Sequence, residues 1–261
     1  MRLCNKKMRT YPASGFTLVE MSVVVVIIGL LLAGIVKGMD MMEKARLDSA
    51  IASLQKYKMA AKDFQAKYNY LPGDAINTDR YWTSAQCPDS GANTCSGNGD
   101  GKILRTGGNE EGLRAWQHLA LAGLIAGSYT GQRGGANTSG VVLDPNSASV
   151  NIPASEVTYR GTGGTAGVGG FWFYYSSTSP YLGNFILFGR DPISTLTDNV
   201  LGGIISPKNA AGVDRKMDDG MAQTGKVFGV HSPIGDGGCL TANNYTPGGN
   251  TQSCVLWFNI D

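Results

Sequence analysis

Residues 16–36 read FTLVEMSVVVVIIGLLLAGIV, and this stretch decides the architecture of the chain. Its 21 residues contain one ionisable side chain, that of Glu20. A run of about 20 apolar residues forms a helix long enough to cross a bilayer. The sequence therefore predicts a membrane-spanning helix close to its N-terminal end.

The two flanks of this stretch predict how the helix is oriented and that it is retained. Residues 1–15 carry four basic side chains and no acidic one, which favours a cytoplasmic N-terminus and translocation of the rest. An ordinary secretory signal places a small-residue cleavage site after its apolar run, and no such site follows Val36. We therefore expect the apolar helix to stay in the working protein.

Glu20 is the unusual residue of the apolar stretch, because an isolated carboxylate in hydrocarbon costs several kcal/mol and needs a partner. One interpretation places Glu20 at the cytoplasmic edge of the membrane, where its side chain reaches water. The other follows if the chain is cut after Gly15, so that Phe16 carries a free α-ammonium group. Glu20 then lies one helical turn away, on the same face as that amine.

The segment Gly15-Phe16-Thr17-Leu18-Val19-Glu20, behind a short basic leader and ahead of an apolar helix, resembles the signature of type IV pilins and type II secretion pseudopilins. The close match covers residues 10–40. This resemblance implies that a prepilin peptidase cuts between Gly15 and Phe16 and methylates the new N-terminus. It further implies that Glu20 pairs with the N-terminus of an adjacent subunit during filament assembly.

An amphipathic pattern continues beyond the apolar stretch and ends before the breaker Leu71-Pro72-Gly73. Lys58 alone interrupts the apolar positions, which recur at about 3.5-residue steps. With no proline between Phe16 and Tyr70, we expect one helix, about 80 Å long. The alternative is two helices broken at Lys37-Gly38. The apolar positions are Leu47, Ile51, Leu54, Ala61, Phe64 and Tyr68.

The composition of the rest indicates a loop-rich domain that contains β-structure. Glycine makes up 37 of the 261 residues, charged residues are only 16%, and the net charge of +2 is too small for a dedicated nucleic-acid binder. We interpret residues 132–140 and 161–170 as Gly-rich loops; neither has the Gly-Lys-Ser/Thr ending of a nucleotide-binding loop.

We predict an α+β fold in which a long N-terminal helix, membrane-spanning in its first half, packs on a small antiparallel sheet in a pilin-like head. The expected division is a leader at 1–15, a membrane and filament-core helix at 16–36, a helical stem at 37–70 and a head at 71–261. Helices are expected from Asn109 to about residue 124 and, capped by Ser206, from Pro207 to about Met217. The expected strands are Phe171–Tyr175, Asn184–Phe188, Lys226–Val230 and Val255–Phe258.

Removal of the leader takes Cys4 away and leaves four cysteines, Cys87, Cys95, Cys239 and Cys254. An even number in a translocated domain suits two disulfides, and three pairings are possible. We favour Cys87 with Cys95 and Cys239 with Cys254, since each pair closes a local loop rich in Gly and Asn. The second pair also resembles the C-terminal disulfide loop of many type IV pilins.

Zinc is disfavoured, because the chain has no C-x-x-C and only two histidines, His118 and His231. For these histidines we expect packing or surface roles. Neither histidine sits in a Ser or Cys nucleophile motif, so we do not expect an enzyme.

Calcium is the one cofactor that the sequence suggests. Asn98-x-Asp100-Gly101 resembles the middle of a calcium loop, with oxygen ligands two residues apart, and Glu110 or Glu111 could complete it. The alternative is a turn without an ion. A second acidic group, Asp214, Asp218 and Asp219, we interpret chiefly as a turn and helix-end cap.

The expected function is that of a structural subunit, possibly a minor one, in a type IV pilus-like or type II secretion filament. The expected partners are a prepilin peptidase, other pilin-like subunits and the bacterial inner membrane. The alternative is a membrane-anchored periplasmic binding module for calcium, glycan or DNA that never polymerises. The sequence does not distinguish a secretion pseudopilus from a motility or DNA-uptake pilus.

Overall fold

The computed structural model describes residues 15–87, 95–104, 111–131, 152–160, 166–190, 202–231, 238–249 and 251–261. Its helices are α1 (Leu18–Tyr68), a 3-10 turn (Thr78–Arg80), α2 (Glu111–Leu121) and α3 (Pro207–Met217). Its strands are β1 (Ala154–Arg160), β2 (Ala166–Thr178), β3 (Tyr181–Arg190), β4 (Val227–His231), β5 (Leu240–Thr241), β6 (Asn244–Tyr245) and β7 (Cys254–Asn259). The chain divides into two compact units, Met1–Ala45 and Arg46–Asp261.

Within the first unit, the described residues are the start of α1 and the three residues before it. Every residue from Gly15 to Ala45 is exposed, and the stretch is long and apolar enough to cross a membrane. The helix runs without a break through Lys37-Gly38, which confirms the prediction of one helix and excludes the two-helix alternative. A helix satisfies its own backbone hydrogen bonds, so it tolerates a solvent that offers none.

Within the second unit, the remainder of α1 supplies one side of the hydrophobic core. Leu47, Leu54 and Phe64 are among its buried side chains, as their spacing predicted. Lys58, which breaks the apolar pattern, is half-buried, and its Nζ donates to the backbone carbonyl of Asn259 at 2.7 Å. Lys58 thus links α1 to the end of β7.

The head contains a five-stranded antiparallel sheet in the order β1-β2-β3-β7-β4, and a separate two-stranded ribbon of β5 and β6. The longest pairing joins β2 and β3, from Gly169 opposite Arg190 to Thr178 opposite Tyr181. All four predicted strands lie in this sheet, so the α+β fold class is confirmed. The strand order places β7 between β3 and β4.

The prediction of a loop over residues 161–170 was wrong in its second half, because Ala166–Gly170 forms the start of β2. A Cβ at Gly169 would collide with the side chain of Ile204, and one at Gly170 with that of Ile152. Glycine is therefore needed here for close packing and does not mark a loop. Strand β1, the partner of this segment, was not predicted at all.

Helix α3 agrees with its predicted span, whereas α2 ends at Leu121, three residues before its predicted end near residue 124. The chain leaves the helix through Gly123, whose φ of 71° lies in the left-handed region. Pro207 begins α3, and Ser206 caps it by accepting from the backbone N–H of Asn209 at 3.4 Å. The predicted cap of α2, Asn109, lies outside the described residues. Disulfides join Cys87 to Cys95 and Cys239 to Cys254.

Phe64 provides a test of the packing of α1 in the head. Its ring is fully buried and lies 4.5 Å from that of Tyr68 and 5.7 Å from that of His118, centroid to centroid. We expect Phe64→Ala to lower the free energy of unfolding by about 3–5 kcal/mol, as for other large core truncations. Urea denaturation of the full chain in detergent measures this loss.

Met59 lies on the same helix and is 66% exposed, which makes Met59→Ala the matched control. This variant should change stability by no more than about 0.5 kcal/mol. Equal losses in both variants would contradict the structural role assigned here to the second part of α1.

Candidate functional site

The segment Gly15–Glu20 forms the N-terminal end of α1 and holds the residues predicted for processing and assembly. Gly15, Phe16 and Thr17 precede the helix, and Phe16 is 79% exposed. The Gly15–Phe16 peptide bond therefore lies outside the helix, between two exposed residues.

Thr17 and Glu20 form a capping box at the helix start. The backbone N–H and the hydroxyl of Thr17 both donate to Glu20 Oε2, each at 2.8 Å. In return, the backbone N–H of Glu20 donates to the Thr17 hydroxyl at 3.2 Å. The sequence analysis did not identify this role of Thr17, although the Thr-x-x-Glu spacing before an apolar run is its known signal.

The capping box uses one oxygen of the Glu20 carboxylate. Among the described residues, Oε1 has no hydrogen-bond partner, while Oε2 accepts both bonds from Thr17. The carboxylate can therefore hold the helix end and still receive a second donor or a cation.

A second candidate site is a group of three carboxylates in the head. Oxygens of Asp74, Asp100 and Glu111 lie within 4.8 Å of one another, with Asp74 and Glu111 buried and Asp100 exposed. Asp74 follows the Leu71-Pro72-Gly73 breaker, Glu111 begins α2, and Asp100 lies on residues 95–104, here called the acid loop.

The backbone of the acid loop wraps around the two buried carboxylates. Asp74 accepts the N–H groups of Gly99, Asp100 and Gly101, at 2.6, 3.1 and 2.8 Å. Glu111 accepts those of Asn98 and Leu104, at 3.3 and 2.8 Å. Successive N–H groups that converge on an anion make a concave anion-binding nest, here filled by the side chains of the protein itself.

The predicted calcium ligands meet this site only in part. The Asn98 and Asp100 side chains each accept the backbone N–H two residues further on, at 3.0 and 2.9 Å, as in Asx turns. Glu110 lies outside the described residues. Asp74 was missed, because no local motif connects it to a loop more than 20 residues away.

Calcium binding stays a prediction, now with the carboxylates of Asp74, Asp100 and Glu111 as the group that could share an ion. Hard oxygen ligands of this kind suit calcium, although most of these oxygens already accept backbone N–H groups. A calcium-dependent rise in melting temperature that Asp100→Asn abolishes would establish the site.

Burial raises the pKa of Asp74 and of Glu111, and the neighbouring acids add to the effect.

His118, on α2, is fully buried and joins three segments of the head. Its Nδ1 accepts the backbone N–H of Gly73 at 2.9 Å, so Nε2 carries the proton and donates to the carbonyl of Cys95 at 2.8 Å. Its ring lies against those of Phe64 and Trp82. Both ring nitrogens are in use, which fits the expected packing role. His231, at the end of β4, is exposed.

The carboxylates of the second acidic group, Asp214, Asp218 and Asp219, each accept hydrogen bonds from the protein itself. Asp214 is buried and accepts from the Tyr245 hydroxyl at 2.8 Å and from the Gly220 N–H at 3.1 Å. The carboxylates of Asp218 and Asp219 accept backbone N–H groups after the end of α3; their donors are Lys226, Val227 and Met221. This arrangement fits the turn and helix-end cap that the sequence favoured.

His118 and Asp214 should give the stability of the head opposite dependences on pH. Burial lowers the pKa of His118 from 6.5 to about 4, so protonation of the unfolded chain destabilises the fold as pH falls from 6.5 to 4. Burial raises the pKa of Asp214 from 3.8 to about 6, so its contribution is complete below 3.8 and is lost as pH rises through 6. Each effect reaches about 3 kcal/mol at most, and they oppose each other between pH 4 and 6.

Chemical denaturation of two variants at pH 4, 5, 6 and 7 separates these contributions. We expect His118→Gln to be relatively more stable at pH 4 than at pH 7, because the Asp214 effect then acts alone. Asp214→Asn should show the reverse, a steeper loss of stability on acidification than the wild type. Parallel pH profiles for wild type and both variants would contradict the assignment.

Comparison with known proteins adds one finding. The family described as the prokaryotic N-terminal methylation motif matches residues 12–36. No curated protein and no solved structure matches the chain. The matched residues include Gly15, Phe16, Thr17 and Glu20. The capping box and the exposed Gly15–Phe16 bond therefore lie inside the methylation motif. The chain therefore carries the N-terminal methylation motif of type IV pilin and pseudopilin precursors.

Proposed function

We propose that the chain is a structural subunit of a type IV pilus-like or type II secretion filament. The observation that carries the proposal is the methylation motif at residues 12–36, which leads into a helix with every residue exposed as far as Arg46. An apolar helix surface of this length needs a membrane or other helices around it. A filament subunit uses both in turn.

Processing is the first step of this function. A prepilin peptidase cuts between Gly15 and Phe16 and methylates the amine of Phe16. Until extraction into the filament, the helix spans the bacterial inner membrane once, with the basic leader on the cytoplasmic side. The head then lies in the periplasm, or outside the cell on the filament.

Glu20 guides docking in this proposal. Its Oε2 is held by Thr17, and its Oε1 faces no described donor, so the α-ammonium of Phe16 on a neighbouring subunit can pair with it. An unpaired carboxylate in hydrocarbon is costly, so the pairing favours the assembled state. Other pilin-like subunits, identical or not, are the partners.

The size of the head favours a minor or tip subunit over the main one. Residues 71–261 are many for one domain of typical size, and a large head limits how densely subunits pack.

The second candidate function is the anchored binding module, for calcium, glycan or DNA, which keeps its leader and does not polymerise. The motif belongs to structural proteins, and catalysis has no part in either function.

The mass of the protein isolated from its native membrane under non-reducing conditions tests the processing step. We expect a chain that begins at N-methylated Phe16 and lacks four hydrogens, one pair for each disulfide. A chain that retains Met1 would refute processing and favour the anchored module.

Substitution at Glu20 tests the assembly step. We expect Glu20→Gln to leave membrane insertion and cleavage intact and to reduce incorporation into filaments by about tenfold or more, since the charge for pairing is gone. Cross-linking of subunits in sheared filaments measures incorporation.

Ser22→Ala is the matched control for this substitution. Ser22 lies in the next turn and its hydroxyl donates to the carbonyl of Val19 at 2.8 Å, so the variant removes a polar group but no charge. Its incorporation should equal that of the wild type. Normal incorporation of Glu20→Gln would refute the pairing role.

A further inference from the structure

The acid loop contains Asn98-Gly99, the one Asn-Gly pair in the sequence. Asn-Gly is the dipeptide most open to succinimide formation, because glycine places no side chain in the path of the attacking nitrogen. In that reaction the backbone nitrogen of Gly99 attacks Cγ of Asn98, and the side-chain nitrogen leaves as ammonia with the N–H proton. Water then opens the ring to give aspartate or isoaspartate.

The structure holds the attacking nitrogen in place. The N–H of Gly99 donates to Asp74 Oδ1 at 2.6 Å and to the carbonyl of Asp74 at 3.1 Å. Asp74 is only 1% exposed, so water does not readily replace it as the acceptor. Attack on Cγ requires the Gly99 nitrogen to turn out of both bonds, which raises the barrier to reaction.

The neighbouring residues reinforce this geometry. The Asn98 side chain is engaged with the N–H of Asp100 at 3.0 Å, and Asp74 Oδ2 accepts the N–H of Gly101. Gly97 packs so closely that an added Cβ would lie 2.5 Å from Cα of Asp74. The same carboxylate thus fixes the loop at Gly99 and at Gly101, directly after Asn98 and after Asp100.

We propose that Asn98 is a latent deamidation site and that Asp74 protects it by holding the backbone N–H of Gly99. Reaction at Asn98 would put a fourth carboxylate beside Asp74, Asp100 and Glu111, where like charges repel. The isoaspartate product also lengthens the backbone inside a loop whose N–H groups are all in use from Gly97 to Leu104. Protection by Asp74 therefore preserves the fold of the acid loop. This inference does not depend on the proposed function.

The first test compares the wild-type chain, native in detergent, with the same chain unfolded in urea at the same pH and temperature. Peptide mass spectrometry follows the conversion of Asn98 to aspartate and isoaspartate. We expect deamidation in the native protein to be at least about tenfold slower, because two hydrogen bonds must first break. Equal rates in the two states would overturn the proposal.

The second test assigns the protection to Asp74. In the native full chain, Asp74→Asn should deamidate at Asn98 about tenfold faster than wild type or more, since the charged acceptor is lost. Glu111→Gln is the matched control: it alters a buried carboxylate of the same group that accepts from Asn98 and Leu104 but not from Gly99. Its rate should stay near that of wild type.

The other outcomes of the second test overturn the proposal. Equal acceleration in both variants would mean that any loosening of the loop exposes Asn98. A slower reaction in Asp74→Asn would mean that the carboxylate acts as a base for attack. Circular dichroism shows whether each variant is folded. If a variant is unfolded, the deamidation rates of native and urea-unfolded wild-type protein decide the question.

Discussion

The rest of the structure depends on one constraint: the single helix α1 has an apolar, fully exposed surface in its first part and packs into the head in its second part. From Leu18 the backbone hydrogen bonds of α1 continue without a break to Tyr68. The first part presents apolar side chains on every side, while the part from Leu47 buries only one stripe. The pattern of side chains thus changes along α1, while its backbone stays helical throughout. The head needs to cover only the buried stripe with its own apolar residues.

The head is held together outside its sheet by buried polar groups that accept backbone N–H bonds. Asp74, Glu111 and His118 each bind segments of irregular structure, where no ladder or helix provides acceptors. Asn184, on β3, does the same: its Oδ1 accepts from Ile103 at 2.9 Å, and its Nδ2 donates to the carbonyl of Gly101 and to Asp261. Buried carboxylates order the Gly-rich acid loop in this way, and their burial raises the pKa of Asp74 and of Glu111.

Local patterns were enough to predict the elements that depend on local physics. Residues only a few positions apart determine the apolar period of α1, the start of α3 at Ser206-Pro207 and the aromatic strands of the sheet. Residues 166–170 were misread because Ile152 and Ile204, distant in sequence, decide that glycine is needed there. Asp74 was missed for the same reason, since its partners in the acid loop are 25 residues or more away. Burial and pairing across the sequence are tertiary properties, and single-sequence reasoning does not contain them.

The place of β7 in the sheet has a consequence for the order of folding. β4 pairs with β7 and not with β3, so it has no strand beside it until the chain has been extended to Asn259. A nascent chain that has emerged only as far as β4 contains β1, β2 and β3, but residues 185–188 of β3, which pair with β7 in the finished sheet, still lack their partner strand. Both the Cys239–Cys254 bond and the completion of the sheet then wait for the same late segment. Chaperone contact with the open edge of β3 is therefore most useful in the interval before that segment arrives.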